Sequence, residues 1–219
     1  MSDVDDSKSG TKPLWLAIIL ILSQVLIFIS VISPEALEKT INQELEMMVG
    51  VYGLDSTQNI YNSSLDKSDE WLYESGAIKA IRGQFLPPEY LENGFVTDTK
   101  VFNTGFWTVV DRSINNLALN VEFTLLRIYS FGQWFYLFGV MIIASVMSGF
   151  LFREIKKHGF EYSSPLRHGV SRKLLYLMPL ILYVMLVLPL AMHPFFYPLL
   201  ISIMCMTIAF YISNTIKRV

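Results

Sequence analysis

The most prominent pattern in the chain is a set of long apolar blocks that contain no charged residue. These blocks cover residues 13–32, 133–152, 174–192 and 195–214. About twenty helical residues are enough to cross a hydrocarbon core that is ~30 Å thick. The pattern therefore predicts an all-α integral membrane protein with four transmembrane helices, named TM1 to TM4 in chain order. TM3 and TM4 should form a hairpin around His193 and Pro194.

The basic residues between these blocks predict which side of the membrane each segment occupies, because cytoplasmic loops retain lysine and arginine. The segment 153–173 contains Arg153, Lys156, Lys157, Arg167, Arg172 and Lys173. We therefore place this segment in the cytoplasm, together with a disordered tail of residues 1–12 and a short tail of residues 215–219. Residues 33–132 should then lie outside, with both termini inside.

The external segment, residues 33–132, has the spacing of a small helical domain. Ser33-Pro34-Glu35 is typical of a helix start, and apolar residues then recur at helical spacing as far as Tyr52. Residues 55–64 fit a loop or a short helix, and a second helix should run from 68 to 85. A third helix should begin near Asp98, bury an apolar face from Phe102 to Ile128, and continue into TM2.

Composition agrees with a membrane protein and gives no support for catalysis. Of the 219 residues, 53% are hydrophobic and 16% are charged, whereas soluble domains carry about 25% charged residues. An ionisable residue inside a span commonly marks a proton or ion path, and none of the four predicted spans contains one. The carboxylates of the external segment are scattered and are expected to be solvated. We therefore expect neither enzyme activity nor a cofactor.

Metal and nucleic-acid binding are not favoured either. The single cysteine, Cys205, lies in an apolar run, so it can form no internal disulfide and no multi-cysteine metal site. His158, His168 and His193 do not share a close helical spacing. The net charge of -2 argues against a generally basic nucleic-acid binder. We expect no metal site and no direct contact with nucleic acid.

Small residues in TM2 predict close helix packing. Ala144, Ser145, Ser148 and Gly149 form two overlapping pairs of small residues at a spacing that lets two helix backbones approach each other in lipid. The neighbour could be TM1 or TM3 of the same chain, or a helix of another protein molecule. The sequence favours neither alternative.

The segment 153–173 combines its basic residues with aromatic ones, such as Phe160 and Tyr162. This pattern fits a topology signal whose basic residues contact anionic lipids. It also fits docking of a partner protein and, least favoured, direct contact with DNA. The basic residues named above are therefore candidates for partner or lipid contact. Ser164-Pro165 is typical of the start of a helix that leads into TM3.

This segment and the hairpin after it carry a family resemblance. With Asp111-Arg112-Ser113-Ile114-Asn115-Asn116 in the external segment and the sequence from Gly159-Phe160 to Ser164-Pro165, the chain resembles the membrane proteins of integrating conjugative elements, a family of largely unknown function. The resemblance covers most of the chain. It implies a bacterial inner-membrane protein with a periplasmic domain, which accompanies a type IV secretion system and its coupling ATPase. It implies no catalytic residues.

The leading hypothesis is therefore a non-enzymatic inner-membrane component of a conjugative DNA-transfer system. It would bind the coupling ATPase or other membrane subunits of the secretion system, and homo-oligomers are compatible with this role. The alternative is an oligomeric small transporter or channel in which TM3, with Pro179 and Pro189, lines the path. A flux assay in liposomes distinguishes the two. An intramembrane enzyme is least favoured, because the predicted spans lack an Asp pair, a Ser-His dyad and a metal-ligand cluster.

Overall fold

The computed structural model describes residues 32–95, 104–159 and 165–215, together with Leu16, Ile19, Leu20 and Ser23. For residues 165–167 the description is confined to the backbone. The predicted TM1 and the predicted tail of residues 1–12 therefore lie almost entirely outside the described residues.

All regular structure in the described part of the chain is helical, which confirms the predicted all-α class for that part. The helices are α1 (Pro34–Tyr52), α2 (Leu54–Asp69), α3 (Ala77–Phe85), α4 (Pro88–Asn93), α5 (Thr104–Gly132), α6 (Phe135–His158), α7 (Pro165–Val187) and α8 (Phe196–Ser213). A π-helical turn, Glu70–Glu74, follows α2.

Among the described residues, three helical segments are long and apolar enough to cross a membrane. They are Phe135–His158, His168–Val187 and Phe196–Ser213. These segments correspond to the predicted TM2, TM3 and TM4. Length and composition thus support a membrane protein, and the remaining predicted span, TM1, lies almost entirely outside the described residues.

The helix ends differ from the predicted span ends at the basic segment. Helix α6 continues to His158 and α7 already begins at Pro165, so most of the predicted loop 153–173 consists of helix ends. Lysine, arginine and glutamate are good helix formers, which explains why the helices extend beyond the apolar blocks. Helix α7 ends at Val187 rather than at residue 192, because Pro189 has no amide hydrogen to continue it.

The helices before α6 differ from those that the sequence predicted. Residues 55–64 belong to a full helix, α2, whereas the second predicted helix is divided at Gly76, which has a φ of +75°. A φ in this region favours glycine because glycine lacks a Cβ atom. Helix α5 ends at Gly132 and does not run on into α6. On α5, Ile114 and Leu125 are buried as predicted, but Phe106 and Ile128 are exposed.

The chain divides into two compact units. The first unit comprises Met1–Asn42 and Leu65–Phe123. In its described part, buried apolar side chains from α1, α3 and α5 form the core, including Leu37, Ile78 and Ile114. Arg82 on α3 connects to α5 through its Nε atom, 3.1 Å from Asp111 Oδ1, and through its Nη2 atom, which donates to Asn115 Oδ1.

The second unit comprises Gln43–Ser64 and Thr124–Val219. Helix α8 lies against both α6 and α7. Buried side chains of α8, among them Tyr197, Ile201 and Cys205, supply much of the apolar interior. Every residue of the candidate functional site described below belongs to this unit.

Candidate functional site: a buried ion pair at the turn between α7 and α8

A fully buried ion pair joins α1 to α5 within the second unit. The exposed fractions of Arg127 and Glu44 are 0% and 1%. The Arg127 Nε atom donates to Glu44 Oε1 at 2.9 Å, and its Nη2 atom donates to Oε2 at 2.7 Å. This two-pronged geometry is the strong form of an arginine–carboxylate contact. Both charges are thus removed from solvent and neutralise one another.

The remaining hydrogens of the Arg127 guanidinium bind the end of α7. Its Nη1 atom donates to the carbonyl oxygen of Met185 at 2.8 Å and to that of Leu188 at 2.5 Å. Its Nη2 atom also donates to the carbonyl oxygen of Leu190. Arginine has five N–H donors and no acceptor, so a single side chain can serve the carboxylate and several carbonyls together.

The sequence at the end of α7 explains why these carbonyls need an outside donor. In a continuing helix, the Met185 carbonyl would accept a hydrogen bond from the amide of residue 189, but that residue is a proline. The Leu186 carbonyl would accept from the Leu190 amide, which instead binds the Leu188 carbonyl at 2.8 Å. Arg127 therefore acts as a side-chain cap for the C-terminal turn of α7.

Glu44 holds the same turn from the other side. Its Oε2 atom accepts a hydrogen bond from the Met192 amide at 3.0 Å. The pair thus provides hydrogen-bond partners for three backbone carbonyls around Pro189 and for the amide of Met192. Together, Arg127 and Glu44 fix the connection between α7 and α8 to helices α1 and α5.

A second polar contact lies on the same two helices. The Tyr52 hydroxyl accepts a hydrogen bond from Trp134 Nε1 at 2.7 Å and lies 3.1 Å from Ser130 Oγ. Burial raises the pKa of Tyr52, although its hydrogen bonds to Ser130 and Trp134 act in the opposite direction. The hydroxyl therefore stays protonated and connects the end of α1 to the break between α5 and α6.

The sequence predicted solvated carboxylates throughout the external segment, and for Glu44 that prediction is wrong because its side chain is buried. A signal was present in the spacing. Leu37, Ile41, Glu44 and Met48 are all buried and follow one another at helical intervals, so Glu44 lies within the apolar stripe of α1. A charge in such a stripe requires a buried partner.

The predicted basic residues lie at the ends of α6 and α7. Arg153 is half-buried on α6, and Arg172 and Lys173 are exposed on α7. Lys157 Nζ lies 2.5 Å from Glu154 Oε2 within the same helix. Arg167 belongs to α7, but its side chain lies outside the described residues. The structure therefore places these residues at two helix ends rather than on one loop.

Lys156 differs from the other basic residues, because its ammonium group caps a helix. The Nζ atom donates to Asn214 Oδ1 at 3.0 Å and to the Ser213 carbonyl at 3.5 Å. A cation at the C-terminus of a helix also interacts favourably with the helix dipole. Lys156 thus connects the end of α6 to the end of α8.

The small residues of TM2 lie partly against α8. Ser145 is buried and its hydroxyl donates to the Cys205 carbonyl. A Cβ atom on Gly149 would lie 2.8 Å from Ile212 Cβ and 3.0 Å from the Ala209 carbonyl oxygen. Ser148 is half-buried and Ala144 is exposed. The contacting helix is thus the predicted TM4, whereas the predicted neighbours were TM1, TM3 or a helix of another molecule.

Within the described residues, His, Cys, Asp and Glu side chains form no group of three that could hold a metal ion. The Arg127–Glu44 contact is a buried ion pair whose spare donors and acceptor complete the hydrogen bonding of a broken helix end. Such an arrangement favours this conformation of the turn, because separation of these groups leaves buried polar groups unpaired.

Comparison with known proteins places this architecture in a family. No curated protein and no solved structure matches the chain. A family model described as "IncC plasmid conjugative DNA transfer protein DtrJ-like" matches residues 28–218. The match covers the ion pair, the turn and all three candidate spans, and it confirms the resemblance to conjugative transfer proteins. The chain therefore belongs to the DtrJ-like family of conjugative DNA transfer proteins.

Proposed function

We propose that the chain is a non-enzymatic, multi-pass inner-membrane component of a conjugative type IV secretion system. The observation that carries this proposal is the family match over residues 28–218. The three apolar helical segments support a place in the membrane. On the proposed topology, both termini and the basic helix ends lie in the cytoplasm, and helices α1 to α5 lie in the periplasm.

The proposed activity is binding of other membrane subunits, with the coupling ATPase as the first candidate. Arg153, Arg172 and Lys173 are the basic side chains that best suit a docking surface. Arg172 and Lys173 are exposed, whereas Lys156 is already engaged with the end of α8. A basic surface of this kind fits an acidic protein patch, and it also fits anionic lipid headgroups.

The proposed role of the Arg127–Glu44 pair is to couple movements of α1 and α5 to movements of the turn between α7 and α8. The pair joins residues on α1 and α5 to the turn between α7 and α8. A partner that pulls on α1 or α5 near this pair would therefore also move the ends of α7 and α8. A turn capped only by water would not provide such a connection.

A mating assay tests the proposed function. Deletion of the gene in a conjugative donor should abolish or sharply reduce DNA transfer, and the full chain supplied in trans should restore it. Cell growth and plasmid maintenance serve as controls, because neither requires a transfer apparatus. Unchanged transfer after deletion would contradict the proposal.

The docking surface is tested by co-purification from donor membranes in mild detergent. Arg172→Ala combined with Lys173→Ala should lower partner recovery, and the remaining recovery should fall as salt is added. Lys79→Ala on α3 is a control that removes an exposed charge elsewhere. Equal recovery of partners with all of these variants would exclude the proposed surface.

A further inference from the structure

An apolar cleft lies among the candidate membrane helices. It has a volume of about 170 Å³. Met178 and Ile201 are buried at its base, while Phe138, Leu182 and Leu200 are half-exposed. The cleft thus combines a buried floor with walls that are partly open to the surroundings.

Two aromatic side chains, Phe131 and Phe138, contribute to the lining of the cleft. Phe131 packs against Phe138 with ring centroids 6.4 Å apart. The same ring packs edge-on against Tyr197 at 5.7 Å. Pro179 lines another part of the cleft within α7, and proline commonly bends a helix away from its neighbour.

The chemistry of the lining selects the occupant. All the lining side chains are apolar, so a polar ligand would lose its hydrogen bonds to water without replacement. A cavity of ~150 Å³ accommodates a benzene-sized apolar group. A helix, at about 10 Å in diameter, is too wide to enter such a space. A narrow hydrocarbon chain therefore fits best.

The surroundings of the cleft supply such a chain. Helices α6 and α8, which contribute to the lining, also expose apolar side chains to their surroundings, including Val140, Ile143, Leu199 and Ile203. We propose that the cleft binds one acyl chain of a membrane phospholipid, with Met178 and Ile201 at its base. This inference rests on the membrane location in the proposed function, because a bilayer places acyl chains at the open side.

Lipid retention by the full chain tests this proposal. The protein is purified in mild detergent, washed free of loosely associated lipid and analysed by native mass spectrometry. Leu200→Trp should fill the cleft, whereas Leu199→Trp places the same side chain on the exposed face of α8. Burial of one methylene contributes about fourfold to binding, so loss of two predicts about fifteenfold less retained phospholipid for Leu200→Trp.

A second pair of variants keeps the test decisive if Leu200→Trp fails to fold. Met204→Phe adds a smaller volume to the cleft than Leu200→Trp does. Met206→Phe is the matched control on the exposed face of α8. Wild type and both controls should retain phospholipid, while the filled variants should retain much less. Equal retention by filled and control variants, or none by wild type, would overturn the proposal. A photo-cross-linking group at Leu182 that labels protein rather than lipid would overturn it as well.

Alkaline extraction of membranes separates the two possible failures. If the wild-type chain stays in the membrane pellet but retains no phospholipid, only the acyl-chain site is wrong. If the chain is released with peripheral proteins, the membrane location in the proposed function is wrong.

Discussion

Replacement of Arg127 by methionine tests the ion pair and its capping role together. The change leaves Glu44 as a buried, unpaired carboxylate, which typically costs about 3–5 kcal/mol. It also leaves the carbonyls of Met185 and Leu190 without the donor that Arg127 supplies, and each unpaired buried group adds about 1–3 kcal/mol. For a chain of this size, about 2–4 °C accompanies each kcal/mol. We therefore expect Arg127→Met to lower the unfolding temperature by about 10 °C or more.

The assay is thermal unfolding of the full chain in mild detergent, followed by circular dichroism. Arg82→Met is the matched control, because Arg82 also pairs with a carboxylate on another helix but keeps a 36% exposed side chain. Partly exposed ion pairs contribute about 1 kcal/mol or less. Arg82→Met should therefore lower the unfolding temperature by only about 2–4 °C.

A double variant separates the capping role from the charge pair. Glu44→Met combined with Arg127→Met removes both charges, and such replacements are often neutral where a buried pair has no other partners. Here the carbonyls at the end of α7 stay unpaired, so the double variant should remain less stable than wild type. Wild-type stability in the double variant, or equal losses in Arg127→Met and Arg82→Met, would refute the reasoning.

Two further predictions concern packing and pH. Gly149→Ala should lower the unfolding temperature, because its Cβ atom would overlap Ile212, at a typical cost of about 1–3 kcal/mol. Gly139→Ala, with open space around it, should leave that temperature unchanged or raise it. The pKa of Glu122 is raised above its ordinary value of 4.5, mainly by burial and to a smaller extent by the nearby carboxylates of Asp69 and Glu38. The folded state thus holds this proton more tightly, and stability falls as pH rises from 4.5 through the raised pKa. Glu122→Gln should therefore stabilise the protein at pH 7 and have little effect at pH 4; equal effects at both would contradict this.

Much of the fold follows from the sequence because apolar blocks and helix starts are local signals. Ser33 accepts a hydrogen bond from the Ala36 amide at 3.2 Å, and α1 begins at Pro34 as predicted. Gly94 has a φ of +74° and ends α4, a position that commonly carries glycine. The blocks assigned to TM2, TM3 and TM4 are helices. Each of these features depends on a few neighbouring residues.

The candidate site could not be predicted in the same way, because it depends on residues distant in sequence. Glu44 and Arg127 lie on different helices, and the turn that they bind follows much later in the chain. The sequence shows that Glu44 falls on the apolar face of α1, but not which cation reaches it. The pairing of TM2 with TM4 through Ser145 and Gly149 is also a property of the folded chain.

The central claim is that the chain spans the inner membrane with its basic helix ends in the cytoplasm and α2 in the periplasm. Single cysteines at Asn62 and His158, both exposed, test it in a Cys205→Ala background with a membrane-impermeant maleimide on intact spheroplasts. The account predicts labelling at position 62 before lysis and at position 158 only after it. Labelling at position 158 in intact spheroplasts, or protection of position 62, would contradict it.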